Sequence, residues 1–426
     1  MMKRIVSIIF ISVLIILGCV TFVNGVKGVS FTTLQYPKIK HNEQTVMVDT
    51  LWNSLAETTT AIESAQSTPL KRTFFERVRL LINHLNCYTK EWAAFGMFYV
   101  EQFGLTQKIM QRKLIETHLG SVTLQDNKQL AFVDNVNEYG TEQWITNRDL
   151  SYRNEAIEEF HSFIEENTKS EFYFVITPYK LSLGAECPYG LFENYSFRED
   201  FIRRLKECRF PILDMNESLP QEKEKVFYNT DHHWRIEYAF LQMPMIANFL
   251  SVSDSIYSLS NWTFVNSNKE FKGSLSVQIG DKYSNLKDTL CYYIPKFPTH
   301  IHADYYDNNC ITRRIGNFRQ TVLFEEYLNS LEDSRYTNLY MICSLGTTVM
   351  QKIRNENACS DERILIFADS FGAPIISYLS VLFKSIDVID LRVYQKRDIK
   401  KLLCQENYDK VLCIYNTATD DMYIFD

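Results

Sequence analysis

The sequence predicts an α/β fold of three layers, in which helices cover both faces of a mainly parallel sheet. Three observations carry this. Short apolar runs rich in β-branched and aromatic residues recur from about residue 171 onward, without the polar alternation of a strand that has one wet face. Between them lie segments whose apolar residues repeat at three- and four-residue spacing. The two kinds of segment alternate, and that order builds a parallel sheet through helical crossovers.

The chain has 426 residues, enough for one large domain with an appendage or for two domains of ordinary size. Hydrophobic residues make up 46% and charged residues 23%, which are globular values. A net charge of −7, with no basic patch and no zinc-finger spacing, argues against a nucleic-acid partner.

Residues 1–23 read as a signal anchor. Lys3 and Arg4 precede an apolar run from Ile5 to Val23, about the length of a membrane span. The two bases favour a cytoplasmic N-terminus, with the remainder of a single-pass chain outside the cytoplasmic membrane. A cleaved signal peptide, or a lipoprotein site at Gly18-Cys19, are the alternative readings. Residues 24–123 read as a Thr- and Ser-rich linker followed by a small helical region, in which "LKRTFFERVRLLINHL" has helical apolar spacing.

The main domain is expected over 124–426. Its strands are placed at 171–177, 210–214, 363–369, 386–391 and 410–415, and its helices at 152–167, 197–207, 235–250, 372–384 and 397–405. The interval 251–335, rich in Asn, Ser and Tyr, breaks the rhythm and reads as an irregular excursion near the site. Of ten cysteines, none forms a CxxC pair or a zinc spacing. Most read as buried small apolar residues, and a Cys187–Cys208 disulfide is an option for an exported domain.

Sites in such sheets form at the carboxyl ends of the strands, so "PYK" after 171–177, Ser370 and Arg392 are the positions of interest. Ser370 stands on a strand-to-helix turn in "ILIFADSFGAPIISYL", where it is either an exposed nucleophile or a helix N-cap. A serine nucleophile needs a base, and the base needs an orienting carboxylate. "FYNTDHHWRIEYAF" (227–240) offers both. In an extended loop Asp231 and His233 point the same way, His232 points away, and Trp234 packs behind the imidazole. The competing reading makes Asp231 a helix cap. A second cluster, "THIHAD", brings His300, His302 and Asp304 into alternation. It lacks the following histidines of the zinc motif it approaches and reads as a polar loop, with metal binding as the alternative.

Taken together, "YNTDHHW", "FKGSL" (271–275), "FADSFG" (367–372), "IDLRVY" (389–394) and "YDKVLCIYN" resemble the bacterial DHHW proteins. Those are related to the alginate O-acetylation proteins of the SGNH hydrolase-like superfamily. The resemblance spans about 70–426 and implies an SGNH hydrolase-like domain whose Asp/His loop precedes its serine. It implies Ser370 as nucleophile, His233 as base and Asp231 as its orienter, with Gly273 and Asn317 as oxyanion or site-shaping groups beside Trp234. Ala368 departs from the glycine often found before Asp-Ser in that superfamily.

The implied activity is that of an exported, membrane-anchored serine acyltransferase or esterase. It would acetylate or deacetylate a cell-surface polysaccharide through an acyl-enzyme, with no metal or other cofactor. A membrane-bound O-acyltransferase is the implied donor partner. Two other classes stand beside this one: a noncatalytic carbohydrate-binding component of a surface-polymer assembly, suggested by 25 Tyr and 29 Phe, and a zinc hydrolase using His300 and His302.

Overall fold

The computed structural model describes residues 96–112, 114–117, 120–124, 129–133, 151–180, 196–222, 225–306, 311–325, 328, 339–343, 349–391 and 397–416. The signal anchor, the linker, Cys187 and Arg392 lie outside the described residues. Among the described residues no helix is long and apolar enough to cross a membrane. The chain divides into two units, Met1–Phe103 and Gly104–Asp426. The division falls within helix α1 (Gly96–Ile109).

The second unit opens with a small antiparallel sheet of β1 (Leu114–Thr117), β2 (Gly120–Leu124) and β3 (Leu130–Val133). There follow α2 (Ser151–Asn167), β4 (Glu171–Ile176), α3 (Ser196–Glu207), β5 (Ile212–Asp214), α4 (Ile236–Leu241) and α5 (Met243–Phe249). Next come β6 (Trp262–Phe271), α6 (Ser274–Ile279), α7 (Asp281–Ser284), β7 (Asp288–Pro295), β8 (Ile301–Tyr306), β9 (Ile311–Gly316) and α8 (Phe318–Thr321). The chain closes with β10 (Met350–Asn355), β11 (Ser360–Ala368), α9 (Ala373–Leu379), β12 (Phe383–Ile389), α10 (Arg397–Gln405) and β13 (Lys410–Tyr415).

Eight strands form the main sheet in the order β5-β4-β13-β11-β12-β10-β8-β9. The first five are parallel and the last three antiparallel, so the sheet is mixed with a parallel majority. Pleating sends alternate residues to opposite faces. Phe172, Phe174 and Ile176 of β4, with Leu365 and Phe367 of β11, meet the stripes Ile157-Phe160-Ile164 of α2, Phe201-Leu205 of α3 and Ile399-Leu403 of α10. Tyr173, Val175, Ile364, Ile366, Leu412 and Ile414 face the other way, into a cluster with Ile236 and Phe240 of α4, Ile246 of α5 and Ile375 and Leu379 of α9. Both faces are therefore dry, which is why β4, β11 and β13 read as continuous apolar runs.

Two local readings change. The single helix over 235–250 is two, because Pro244 stands in the first turn of α5. Its ring has no N–H to donate and would clash with the carbonyl one turn back, so the first helix stops at Leu241. The described residues of the interval 251–335 are not irregular. They hold the β6–β7 ribbon and the strands β8 and β9. Residues of β8 alternate buried and half-buried, and most of edge strand β9 is exposed, so neither shows the apolar run by which the buried strands are recognised.

The candidate active site

The site lies at the carboxyl edge of the parallel strands. β11 ends at Ala368, and the next residue caps the turn. Asp369, not Ser370, is the cap: one carboxylate oxygen accepts the Phe371 N–H at 2.9 Å and the other accepts the Asn416 N–H at 2.9 Å. The capping need of the helical turn is thus met one residue early, and the Ser370 hydroxyl is left for another partner.

That partner is His233. Its Nε2 lies 2.9 Å from Ser370 Oγ, and its Nδ1 lies 2.6 Å from Asp231 Oδ1. Asp231 is fully buried; burial by itself pushes its carboxyl up, but its interactions with His233, the ring and backbone N–H donors among them, hold it well below the usual carboxylate range. An ionised carboxylate can only accept, so Nδ1 carries the proton, and the Nε2 lone pair faces the serine hydroxyl.

The loop carrying Asp231 and His233 bends where an extended segment was expected. Asp231 Oδ1 also accepts the His233 backbone N–H at 2.9 Å, an Asx turn that brings carboxylate and imidazole together across two residues. The ends of the loop are tied by an antiparallel bridge between Phe227 and Trp234, with Arg235 N–H donating to the Val226 carbonyl at 2.7 Å. Asp288 at the start of β7 accepts the N–H groups of Asn229 and Thr230 at 2.8 and 2.7 Å, fastening the loop from below.

His232 does not point away. Its ring packs on His233 at 3.8 Å between centroids, and Nδ1 lies 2.7 Å from Ser274 Oγ. Burial pushes it down to about 3, with help from His233 and Lys180, so the ring is neutral at physiological pH. A neutral His232 leaves His233 as the base that Asp231 orients.

Three supporting residues sit differently from the sequence-based expectation. Gly273 gives its N–H to Thr230 Oγ1 at 2.8 Å, which leaves no donor for an oxyanion. Its service is steric: a Cβ there would lie 2.3 Å from Asp231 Cβ, and the close approach lets Ser274 N–H reach Asp231 Oδ2 at 2.7 Å. Asn317 caps α8 in a capping box with Gln320. Gly316, just before it, pairs with Ile301, which pairs with Asn355, whereas Ser370 follows the opposite end of the strands, where Phe367 pairs with Ile389 and Ile389 with Met350. Asn317 is therefore at the far edge of the sheet from Ser370 and cannot serve its chemistry. Trp234 is buried and donates Nε1–H to the Phe371 carbonyl at 2.9 Å. The ring stacked on His233 is Tyr340, 4.0 Å away at 14°, and the Tyr340 hydroxyl donates to the Ser370 carbonyl at 3.0 Å. No sequence signal marks Tyr340, which reaches the site only through folding. Trp234→Phe should then cost about 1–3 kcal/mol through the orphaned carbonyl, while turnover stays within about tenfold of wild type because Tyr340 still holds the ring. Urea denaturation and ester turnover check both parts.

Of the His300–His302 cluster, His302 and Asp304 lie on β8, not in a loop, and His300 immediately precedes the strand. His300 Nδ1 is 2.8 Å from the Glu356 carboxylate just beyond β10, and Asp304 pairs with Arg313. Like Asn317 it occupies the far edge of the sheet, which separates it from Ser370. Cys208 is a free thiol among the described residues, and its proposed partner Cys187 lies outside them.

The structure matches Bacillus cereus PatB1 carrying a sulfonyl adduct at a TM-score of 0.55 and 22% identity, covering 71% of this chain and 97% of that one. It matches a DHHW family protein from Eubacterium siraeum at a TM-score of 0.52 and 16% identity, covering 73% of this chain and 96% of that one. The chain shares the DHHW fold. A weaker likeness is to the O-acetyltransferase domain of Pseudomonas putida AlgJ, at a TM-score of 0.39 and 14% identity, covering 71% of this chain and 92% of that one. No protein-family model and no curated protein matches the chain. Within the DHHW fold the Asp-His-His-Trp stretch and the Asp-Ser turn, 137 positions apart, meet at one sheet edge.

Proposed function

We propose that the protein is an exported serine O-acyltransferase or esterase that acts on the acetyl groups of a cell-surface polysaccharide. The observation that carries the reading is His233 bridging Asp231 and Ser370 at 2.6 and 2.9 Å. Ser370 Oγ attacks the carbonyl carbon of an acetyl ester while its proton passes to His233 Nε2. Collapse of the tetrahedral adduct expels the donor alkoxide, which takes that proton and leaves acetyl-Ser370. A sugar hydroxyl, or water, then attacks the acyl carbon, gives its proton to His233, and the serine leaves as the alcohol with that proton returned. Asp231 keeps the imidazole in the tautomer that both halves require.

The fold shared with PatB1 and the resemblance in the Asp/His and Asp-Ser stretches support this reading. We place the domain outside the cytoplasmic membrane, tethered by residues 5–23, with a membrane-bound O-acyltransferase as donor. PatB1 is known with a sulfonyl adduct, which suggests the probe. An aryl sulfonyl fluoride should label Ser370 in the purified protein, seen by peptide mass spectrometry, and His233→Ala should slow that labelling about 1,000-fold or more. Labelling confined to other serines, or undiminished in His233→Ala, would remove the serine-hydrolase reading.

A further inference from the structure

Lys180 closes the Thr177-Pro178-Tyr179-Lys180 stretch that follows β4, on the same sheet edge as Ser370. It is 3% exposed. Its Nζ donates to the Tyr228 carbonyl at 2.6 Å and to the Asp231 carbonyl at 2.9 Å. Those two carbonyls bracket the Asn229-Thr230 stretch that leads into the turn presenting Asp231 to His233. The cation has Asp288, Asp231, Arg235 and His232 around it. Burial pushes it down to about 7, with Arg235 acting in the same sense and Asp288 and Asp231 against it.

Lysine is seldom buried this fully, because dehydrating an ammonium is costly. An apolar side chain would fill the space without that cost. What lysine adds is two directed donors and a charge beneath the catalytic loop. We propose that Lys180 is a positioning residue, clamping the Tyr228 and Asp231 carbonyls so that the Asp231–His233 pair stays in register with Ser370. This rests on the serine reading given above. Ser274 N–H and Gly273 hold the Asp231 side chain from one side, and Lys180 holds its backbone from the other. Without the clamp two buried carbonyls lose their partner, the turn shifts to recover one, and a shift of about 1 Å costs on the order of 100-fold in rate.

The test is the rate of Ser370 sulfonylation in wild type, K180M and K180A, the last with and without n-propylamine, with folding checked by circular dichroism. K180M and K180A are expected to label about 100-fold more slowly at pH 7, and the amine to restore much of the K180A rate. A residue that only filled space would be replaced by methionine without loss, so a K180M rate equal to wild type overturns the clamp. The absence of amine rescue in K180A also overturns it. Failure of the wild-type protein to label at Ser370 is a different outcome, and it removes the serine reading itself.

Discussion

His233→Ala should lower turnover of a small acetyl ester by about 10,000-fold or more, the loss typical when a triad base is removed. The His233 imidazole bridges Asp231 and Ser370, at 2.6 and 2.9 Å, and the neighbouring ring cannot replace it. His232 has its Nδ1 on Ser274 and is held neutral, so His232→Ala should keep most activity. Asp231→Asn should fold but fail comparably. Its carboxylate takes two N–H donors on Oδ1 and one on Oδ2, and an amide would set an NH₂ against one side of that set. Ser370→Ala combined with His233→Ala should be little worse than either alone, because the residues act as one unit. Turnover by each purified variant, with folding checked by circular dichroism, decides the matter. Activity retained in His233→Ala and lost in His232→Ala would exchange the roles of the two rings.

Gly273→Ala carries the second large effect. Gly273 has an ordinary φ of −73°, so backbone strain is not the issue. Space is: the added methyl would lie 2.3 Å from Asp231 Cβ, 2.5 Å from Oδ2 and 2.7 Å from Cα. No rotamer relieves a contact with a buried backbone atom that is itself fastened on both sides, so the loop must move. The expected cost is about 1–3 kcal/mol of stability, as for overpacked interiors, together with roughly 100-fold in turnover from the displaced Asp231. Urea denaturation and ester turnover read the two parts separately. Near-wild-type values in both would mean that Gly273 does not set the position of Asp231.

Much of this was legible in the chain. The apolar runs that became β4, β11, β12 and β13 are buried on both faces, and continuous burial leaves a continuous hydrophobic signature. The helical stripes of α2, α3 and α10 were legible because each covers a single face of the sheet. β8 and β9 escaped notice because they are half-wet, and their composition is that of a loop. At the site, Asp231 and His233 belong to one turn and Ser370 to one strand end, so each could be picked out locally.

Local sequence by itself determined the chemical parts: a carboxylate and an imidazole two residues apart, a serine after a buried strand, and a glycine in "FKGSL". It could not decide which of the competing local roles each would take. Tertiary contacts decided that. Asp369 took the helix cap and released Ser370, Ser274 engaged His232, and Tyr340 displaced Trp234 as the ring against His233. Asn317 was carried to the opposite edge by the antiparallel return of β9, and Lys180 was brought under a loop 51 positions away. Sequence spacing governs which side chains share a turn or a face. Contact across the sheet depends on strand order and register, and these are set by the packing of the whole core rather than by any short stretch within it.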